Sequence, residues 1–276
     1  MSIATLKDVL QPAMAGGYAI GGLVVLGWED ARAYVEAAEE TGLPIILQAG
    51  PGCRKHTPLP ILGKMFRHLA EQASVPIVCH LDHGYEVSEC MEAIDSGFTS
   101  VMFDGSKLPI SENIDITASI VEKAKAANVS VEGEVGFVGY AEGAASANTS
   151  PDEAARFDTE SGADALAVSV GNVHLQTEKT GGIDFVALQA IEKATTLPLV
   201  IHGGSGVPVD VRRKLAKETR VSKFNIGTEL RMAFGAALRK SLQENTESFD
   251  RVTLLSPTIA PVREATVDVI QAFGRP

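Results

Sequence analysis

Cysteine is scarce in this chain of 276 residues: Cys53, Cys79 and Cys90 are the whole complement. An odd number in no metal-ligand spacing reads as free thiols rather than a disulfide framework, and so as a protein of a reducing, cytoplasmic compartment. Positive charge is also short, with 24 lysines and arginines against 35 acidic residues and a net charge of −11. A nucleic-acid surface needs a basic stripe, and an anionic membrane repels such a balance, so neither is an expected partner. No apolar run reaches the ~18 residues of a membrane span. The opening MSIATLKDVL lacks the basic-then-apolar order of a signal peptide. There is no linker, low-complexity tract or internal repeat, which leaves one domain over residues 1–276 with a helix at each end. At 45% hydrophobic the chain has material for one large core, and α/β barrels of this size fold as one unit.

What is present is a rhythm. Eight short apolar runs rich in β-branched residues alternate with helical stretches: YAIGGLVV (18–25), PIILQA (44–49), PIVCHLD (76–82), TSVMFD (99–104), SVEGEV (130–135), ALAVSV (165–170), PLVIHG (198–203) and SKFNIG (222–227). Most are apolar almost throughout, as in strands buried on both faces of a parallel sheet. Between them lie amphipathic segments such as DARAYVEAAEETG and ITASIVEKAKAANV. Ser150-Pro151-Asp152-Glu153 has the form of a capping box with proline at the first helical position, so a helix is predicted to start there. Gly42, Gly97 and Gly162 are predicted to close helices before the next strand. Eight strand–helix units with short connections predict an α/β fold, the (β/α)8 TIM barrel, with a doubly wound open sheet as the alternative. The small, polar stretch FVGYAEGAASANTS (137–150) is a candidate lid.

In such barrels the chemistry sits at the C-terminal ends of the strands. Those ends here carry HLDHG (80–84), Asp104, Glu132 and Glu134, GNVH ending at His174, IHGGSG (201–206) and FNIGT (224–228). Four of six histidines fall at these ends. His83, His174 and His202 either form a three-nitrogen site suited to zinc with an open position, or are separate histidines bonded in loops. Their shared position beside acidic residues favours the metal. The strand period puts His80 and Asp82 on one face and His83 on the other, and His80 is expected to orient a neighbour or pack. His56 and His68, on a loop and a helix face, are expected to have no role. Asp82 is either a general acid/base or a partner that holds a ligand imidazole. Asp104 and Glu134 either share a cation or each pair with a lysine. Gly203-Gly204-Ser205-Gly206 and Asn225-Ile226-Gly227-Thr228 each lead into a helix, where backbone N–H groups and the helix N-terminus suit a phosphate, although tight turns use the same residues.

In this order HLDHG, GFTSVMFDGS (97–106), VEGEVG (131–136), ADALAVSVGNVH (163–174), LVIHGGSG and KFNIGT resemble the class II, zinc-dependent ketose-bisphosphate aldolases, the group of fructose- and tagatose-bisphosphate enzymes, from about Tyr18 to the last helix. The resemblance implies a lyase that reversibly splits a ketose phosphate or bisphosphate into dihydroxyacetone phosphate and an aldehyde. It implies catalytic Zn2+ on His83, His174 and His202. Asp104 and Glu134 match a second divalent-metal position, and Asp82 a proton donor or acceptor at the aldehyde end. Gly203, Gly204, Ser205, Asn225, Ile226, Gly227 and Thr228 match the donor-phosphate site, with a monovalent cation (Na+ or K+) nearby. A glutamate of the lid removes the donor's proton in this family, which carries an acidic pair there; Glu142 stands at its second position and Ala141 at its first. Arg263 falls where related enzymes use a basic residue from a neighbouring subunit, in a dimer or tetramer.

Three departures bear on substrate. Leu175 replaces the glycine that follows the second metal histidine, and if that position needs positive φ, leucine costs roughly 1 kcal/mol and the loop is expected to shift. Gly50 replaces a serine that contacts substrate, and Leu23-Val24 replaces phenylalanine–asparagine. These changes point away from fructose 1,6-bisphosphate as the best substrate. They leave as alternatives the same scaffold with a different donor or aldehyde, and a metal-binding barrel without catalysis.

Overall fold

The computed structural model describes residues 2–139, 145–179 and 182–274. Each of the eight apolar runs is a strand: β2 (Ile20–Val24), β3 (Ile45–Ala49), β4 (Ile77–Gly84), β5 (Ser100–Phe103), β6 (Ser130–Val135), β7 (Ala165–Val168), β8 (Leu199–Ile201) and β9 (Val221–Ile226). All pair in parallel with their neighbours in sequence, and β9 pairs with β2, so the sheet closes as a (β/α)8 barrel. The open-sheet alternative is excluded by that closure. Helices α2 (Trp28–Thr41), α3 (Pro51–His56), α4 (Leu59–Gln72), α5 (Val87–Asp95), α6 (Ile110–Ala126), α7 (Pro151–Ser161), α8 (Phe185–Ala194), α9 (Val209–Glu218) and α10 (Thr228–Glu244) follow the strands in turn. The chain ends in α11 (Arg251–Leu255) and α12 (Ile259–Gln271).

Strand periodicity divides the core in two. Outward residues such as Ile45, Leu47, Cys79, Val101 and Phe103 pack under the helices. Inward residues Ile20, Ile46, Val78, Met102, Ala165, Ala167 and Val200 form a separate apolar floor inside the barrel. That floor is closed from below by α1 (Leu6–Gly16), whose Leu6, Val9, Leu10 and Ala13 are buried on it. The helix begins in a capping box, with Thr5 Oγ1 accepting from the Asp8 N–H and Asp8 Oδ2 accepting from the Thr5 N–H. A two-residue strand, β1 (Ile3–Ala4), pairs with Ile77 and Val78 and anchors the entry. It is too short to leave a periodic signal in the sequence.

Along the strands the inward positions turn polar: Val78 gives way to His80 and Asp82, Val200 to His202, and Ser130 to Glu132 and Glu134. The closed N-terminal end and polar C-terminal end put the candidate site at the latter. Gly42 and Gly162 cap their helices at φ +68° and +71°, whereas Gly97 (φ +91°) lies one residue beyond the Ser96 cap of α5. The helix at Pro151 starts where predicted, but the Ser150 side chain makes no capping bond.

Candidate metal centre

The end of β4 departs from strand geometry. Its pairing with β5 shifts register between Leu81 and Gly84, and His83 adopts φ +49°. Simple alternation sends His83 away from Asp82. The left-handed residue turns it back, so that its Nε2 lies 4.0 Å from Asp82 Oδ1 and both side chains line the same cavity. The conformation costs roughly 1 kcal/mol, and Arg54 on α3 supports it. The buried guanidinium donates from Nη1 to the carbonyls of Asp82 (2.7 Å) and Ala49 (3.0 Å), and from Nη2 to that of His83 (3.0 Å). Glu89 pairs with the same Nη2 at 3.2 Å. This clamp left no signal in the sequence beyond a basic residue after the second apolar run.

Two further loops converge on His83. The His174 backbone N–H donates to the Gly139 carbonyl at 2.8 Å, and the Asn172 amide donates to the carbonyl of His202 at 3.0 Å. Gly203 (φ +63°) allows this approach, since a Cβ there would fall 2.1 Å from the Val173 carbonyl oxygen. The ring centroids of His83 and His202 lie 4.6 Å apart, those of His83 and His174 5.3 Å, and those of His174 and His202 5.6 Å.

The donor atoms suit a cation. His83 Nε2, His202 Nδ1 and Glu134 Oε2 are buried without a hydrogen-bond partner, a costly state that a metal ion relieves. His83, His174 and His202 present ligand atoms within 4.8 Å of one another, and so do His83, Asp104 and Glu134. In this geometry Asp104 Oδ2 lies 2.7 Å from His83 Nδ1, which leaves Nε2 as the atom facing the other imidazoles. Burial alone would raise the Asp104 carboxyl, but bonds from His83 and Ser106 hold it well below the usual carboxylate range. Burial likewise disfavours the imidazolium of His202; contacts with Glu132 and Glu134 override it and lift the group to about 10. Burial and the neighbouring imidazoles depress His174 to about 3.

A cavity of about 690 Å³ opens above these groups. Asp82, His83 and His174 line it, together with Gly203, Ser205, Asn225, Gly227 and Thr228 of the two glycine-rich ends. Gly204 and Ile226 are buried, and neither is among the lining residues. Asn225 donates to Asp82 Oδ1 at 3.1 Å, and its own Oδ1 has no partner. Ser205 Oγ accepts from the Gly227 N–H at 3.3 Å and the Glu229 N–H at 3.4 Å, so it occupies donors that a phosphate would use.

The departures also find their places. Leu175 lies at φ +60°, half exposed on the cavity edge, so the chain makes a left-handed turn with leucine in it. Gly50 leaves Asp82 Oδ2 open, since a Cβ there would lie 3.2 Å from that oxygen. Arg263 lies outside the cavity of its own chain, with its Nε 3.6 Å from Glu40. Glu142 falls outside the described residues; the base of its loop is tied by the Phe137–Ala147 bridge. His56, at the surface, bonds Thr57.

Sequence reading missed a buried layer under the centre. Lys223, wholly enclosed, donates to Glu132 Oε2 at 2.7 Å. The only hint was a lysine within an otherwise buried strand, a position where an unpaired charge is prohibitively costly.

Fold and side chains together define a class: a (β/α)8 barrel with a candidate metal site at its C-terminal mouth. Comparison gives the family. The chain belongs to the class II fructose-bisphosphate aldolases, whose family model matches residues 4–275, and it is accordingly an aldehyde-lyase. It is 36% identical to a 6-phospho-5-dehydro-2-deoxy-D-gluconate aldolase of Shouchella clausii, with 99% of this chain and 95% of that protein covered. It is 34% identical to a fructose-bisphosphate aldolase of Geobacillus stearothermophilus, at 99% and 98% coverage. Its fold superposes on the YdjI aldolase of Escherichia coli K12 with a TM-score of 0.85 and 29% identity, covering 99% and 97% of the chains. Among the described residues no helix is long and apolar enough to cross a membrane.

Proposed function

We propose that this aldolase reversibly splits a phosphorylated ketose into dihydroxyacetone phosphate and an aldehyde, with zinc held by His83, His174 and His202. The observation that carries this is the pair of unpartnered nitrogens, His83 Nε2 and His202 Nδ1, buried beneath a cavity lined by Asp82. Zinc bound there supplies Lewis-acid polarisation of a carbonyl. Asp82, held by Asn225 and open on its other oxygen, moves the proton at the aldehyde end. The loops at Gly203–Ser205 and Asn225–Thr228 seat the donor phosphate, with a monovalent cation as a further candidate, and Glu142 is the base that takes the donor's proton. Asp104 and Glu134 are candidates for a second divalent ion.

A carboxylate- or phosphate-bearing aldehyde is the favoured partner. Lys55 and Arg231 line the cavity, and neither closes an ion pair among the described residues. In a chain of net charge −11, two such cations suit an anionic distal end. The gluconate-type name of one relative agrees with this choice.

Zinc-loaded protein with dihydroxyacetone phosphate alone in heavy water tests the donor half-reaction. Stereospecific exchange of one C3 proton, abolished by a chelator, is the expected NMR result. Bound zinc with no exchange would overturn this donor in favour of another.

A further inference from the structure

Beneath the three histidines the barrel interior holds a set of polar contacts whose residues do not line the cavity above. His202 Nε2 lies 3.2 Å from Glu132 Oε1. Glu132 Oε2 lies 2.7 Å from Lys223 Nζ, which in turn lies 3.5 Å from His80 Nε2. His80 Nδ1 ends the chain on Ser100 Oγ at 2.8 Å. His80, Glu132, His202 and Lys223 are all fully buried. Water therefore has no access through which to substitute for a missing partner.

The direction of every bond in this set is fixed by which atoms can donate. Lysine only donates, so Glu132 Oε2 and His80 Nε2 both accept from Nζ. Glu132 Oε1, an acceptor only, then requires a proton on His202 Nε2. The other nitrogen of that ring, Nδ1, faces the metal centre 3.4 Å from Glu134 Oε2, with no hydrogen bond.

We propose that the Glu132–Lys223 pair is a positioning device that holds the His202 proton on Nε2 and so makes Nδ1 the ligating atom. The proposal rests on the metal-centre reading above. Neither residue touches substrate; both act through His202. The lysine does more than neutralise the carboxylate, because it claims one of the two oxygens and leaves the other for the imidazole.

That division of labour gives a test which a merely structural role would not pass. Glu132→Gln keeps the shape but has a single acceptor oxygen, and Lys223 claims it. The amide NH2 then faces His202 Nε2, which must accept, and the proton moves to Nδ1, where the metal needs a lone pair. Zinc affinity, read by competition with a chelator, should fall about 10- to 100-fold, the range seen when such outer partners are lost. In the double variant E132Q/K223M no lysine claims the oxygen. The amide turns round, the Nε2 proton is accepted again, and zinc affinity should recover most of the loss. An E132Q protein that binds zinc as the wild type does, or a double variant no better than E132Q, would overturn the proposal.

A second measurement needs no variant. In zinc-loaded wild-type protein with 15N-labelled histidine, His202 should show a protonated Nε2 and a metal-shifted Nδ1, and the reverse pattern also sinks the idea. Wild-type protein that fails to bind zinc would instead remove the metal-centre reading itself, so the two failures are distinguishable.

Discussion

Leu175 is held at φ +60°, a conformation L-residues avoid, on the edge of the candidate cavity. Two effects oppose each other on replacing it with glycine. Relief of the left-handed strain is worth roughly 1 kcal/mol, while the greater freedom of glycine in the unfolded chain costs about 0.5–1 kcal/mol. Leu175→Gly should therefore leave stability within about 1 kcal/mol of wild type in a urea melt. Its effect should appear in binding. On the donor-phosphate placement proposed above, removing the side chain opens a backbone N–H to that group, and one such bond is worth about 0.5–1.5 kcal/mol. Calorimetry with dihydroxyacetone phosphate should show Kd lowered by up to roughly tenfold; unchanged or weaker binding would mean that the position no longer serves the phosphate. The three cysteines are inert by burial instead. All are buried and free, and burial pushes Cys53 up to about 11 and Cys79 and Cys90 to about 12, leaving no reactive thiolate at neutral pH.

Among the elements, α1 and β4 show how local sequence and packing divide the work. Helix α1 closes the barrel floor at the end opposite the metal centre, with Leu10 fully buried against it. Leu10→Ala should destabilise the protein by about 2–5 kcal/mol, the usual cost of a cavity at such a site. Zinc affinity should stay at the wild-type value, because the polar layer stands between. A parallel loss of affinity in the same protein would show that the floor and the mouth are coupled. Strand β4 carries its chemistry differently. Its run of apolar and polar residues marks it as a strand, and the even spacing of Val78, His80 and Asp82 gives their common face. The placement of His83 is not in that pattern. It depends on a register shift against β5 and on a guanidinium from α3, 29 residues away in sequence.

For the whole molecule, a polar layer inside a barrel makes stability depend on pH. Burial and then the Lys223 charge depress His80 to about 3, against about 6.5 in an unfolded chain. Between those values the unfolded state takes a proton at this residue and the folded state does not, so stability is lost as pH falls from 6.5 towards 3. One such proton contributes a slope of at most ~1.4 kcal/mol per pH unit. In zinc-free protein, His80→Gln should flatten the fall in unfolding free energy between pH 6.5 and 4.5, measured by urea denaturation; an identical slope would place the proton uptake elsewhere, for example at His174. The sequence by itself determined the eight strand–helix units, their order, and the strand ends that carry His83, His174, His202 and the glycine-rich loops. Those properties follow from short-range periodicity and residue type, which a linear chain displays directly. Only the tertiary structure decided that His83 turns inward, that Leu175 adopts a left-handed turn, that Arg54 clamps three carbonyls, and that Arg263 stands away from the cavity. It alone joined Lys223 to Glu132 across 91 residues and Asn225 to Asp82 across 143. Closure of the barrel sets those distances, and no local pattern records which distant residues a closed sheet will bring face to face.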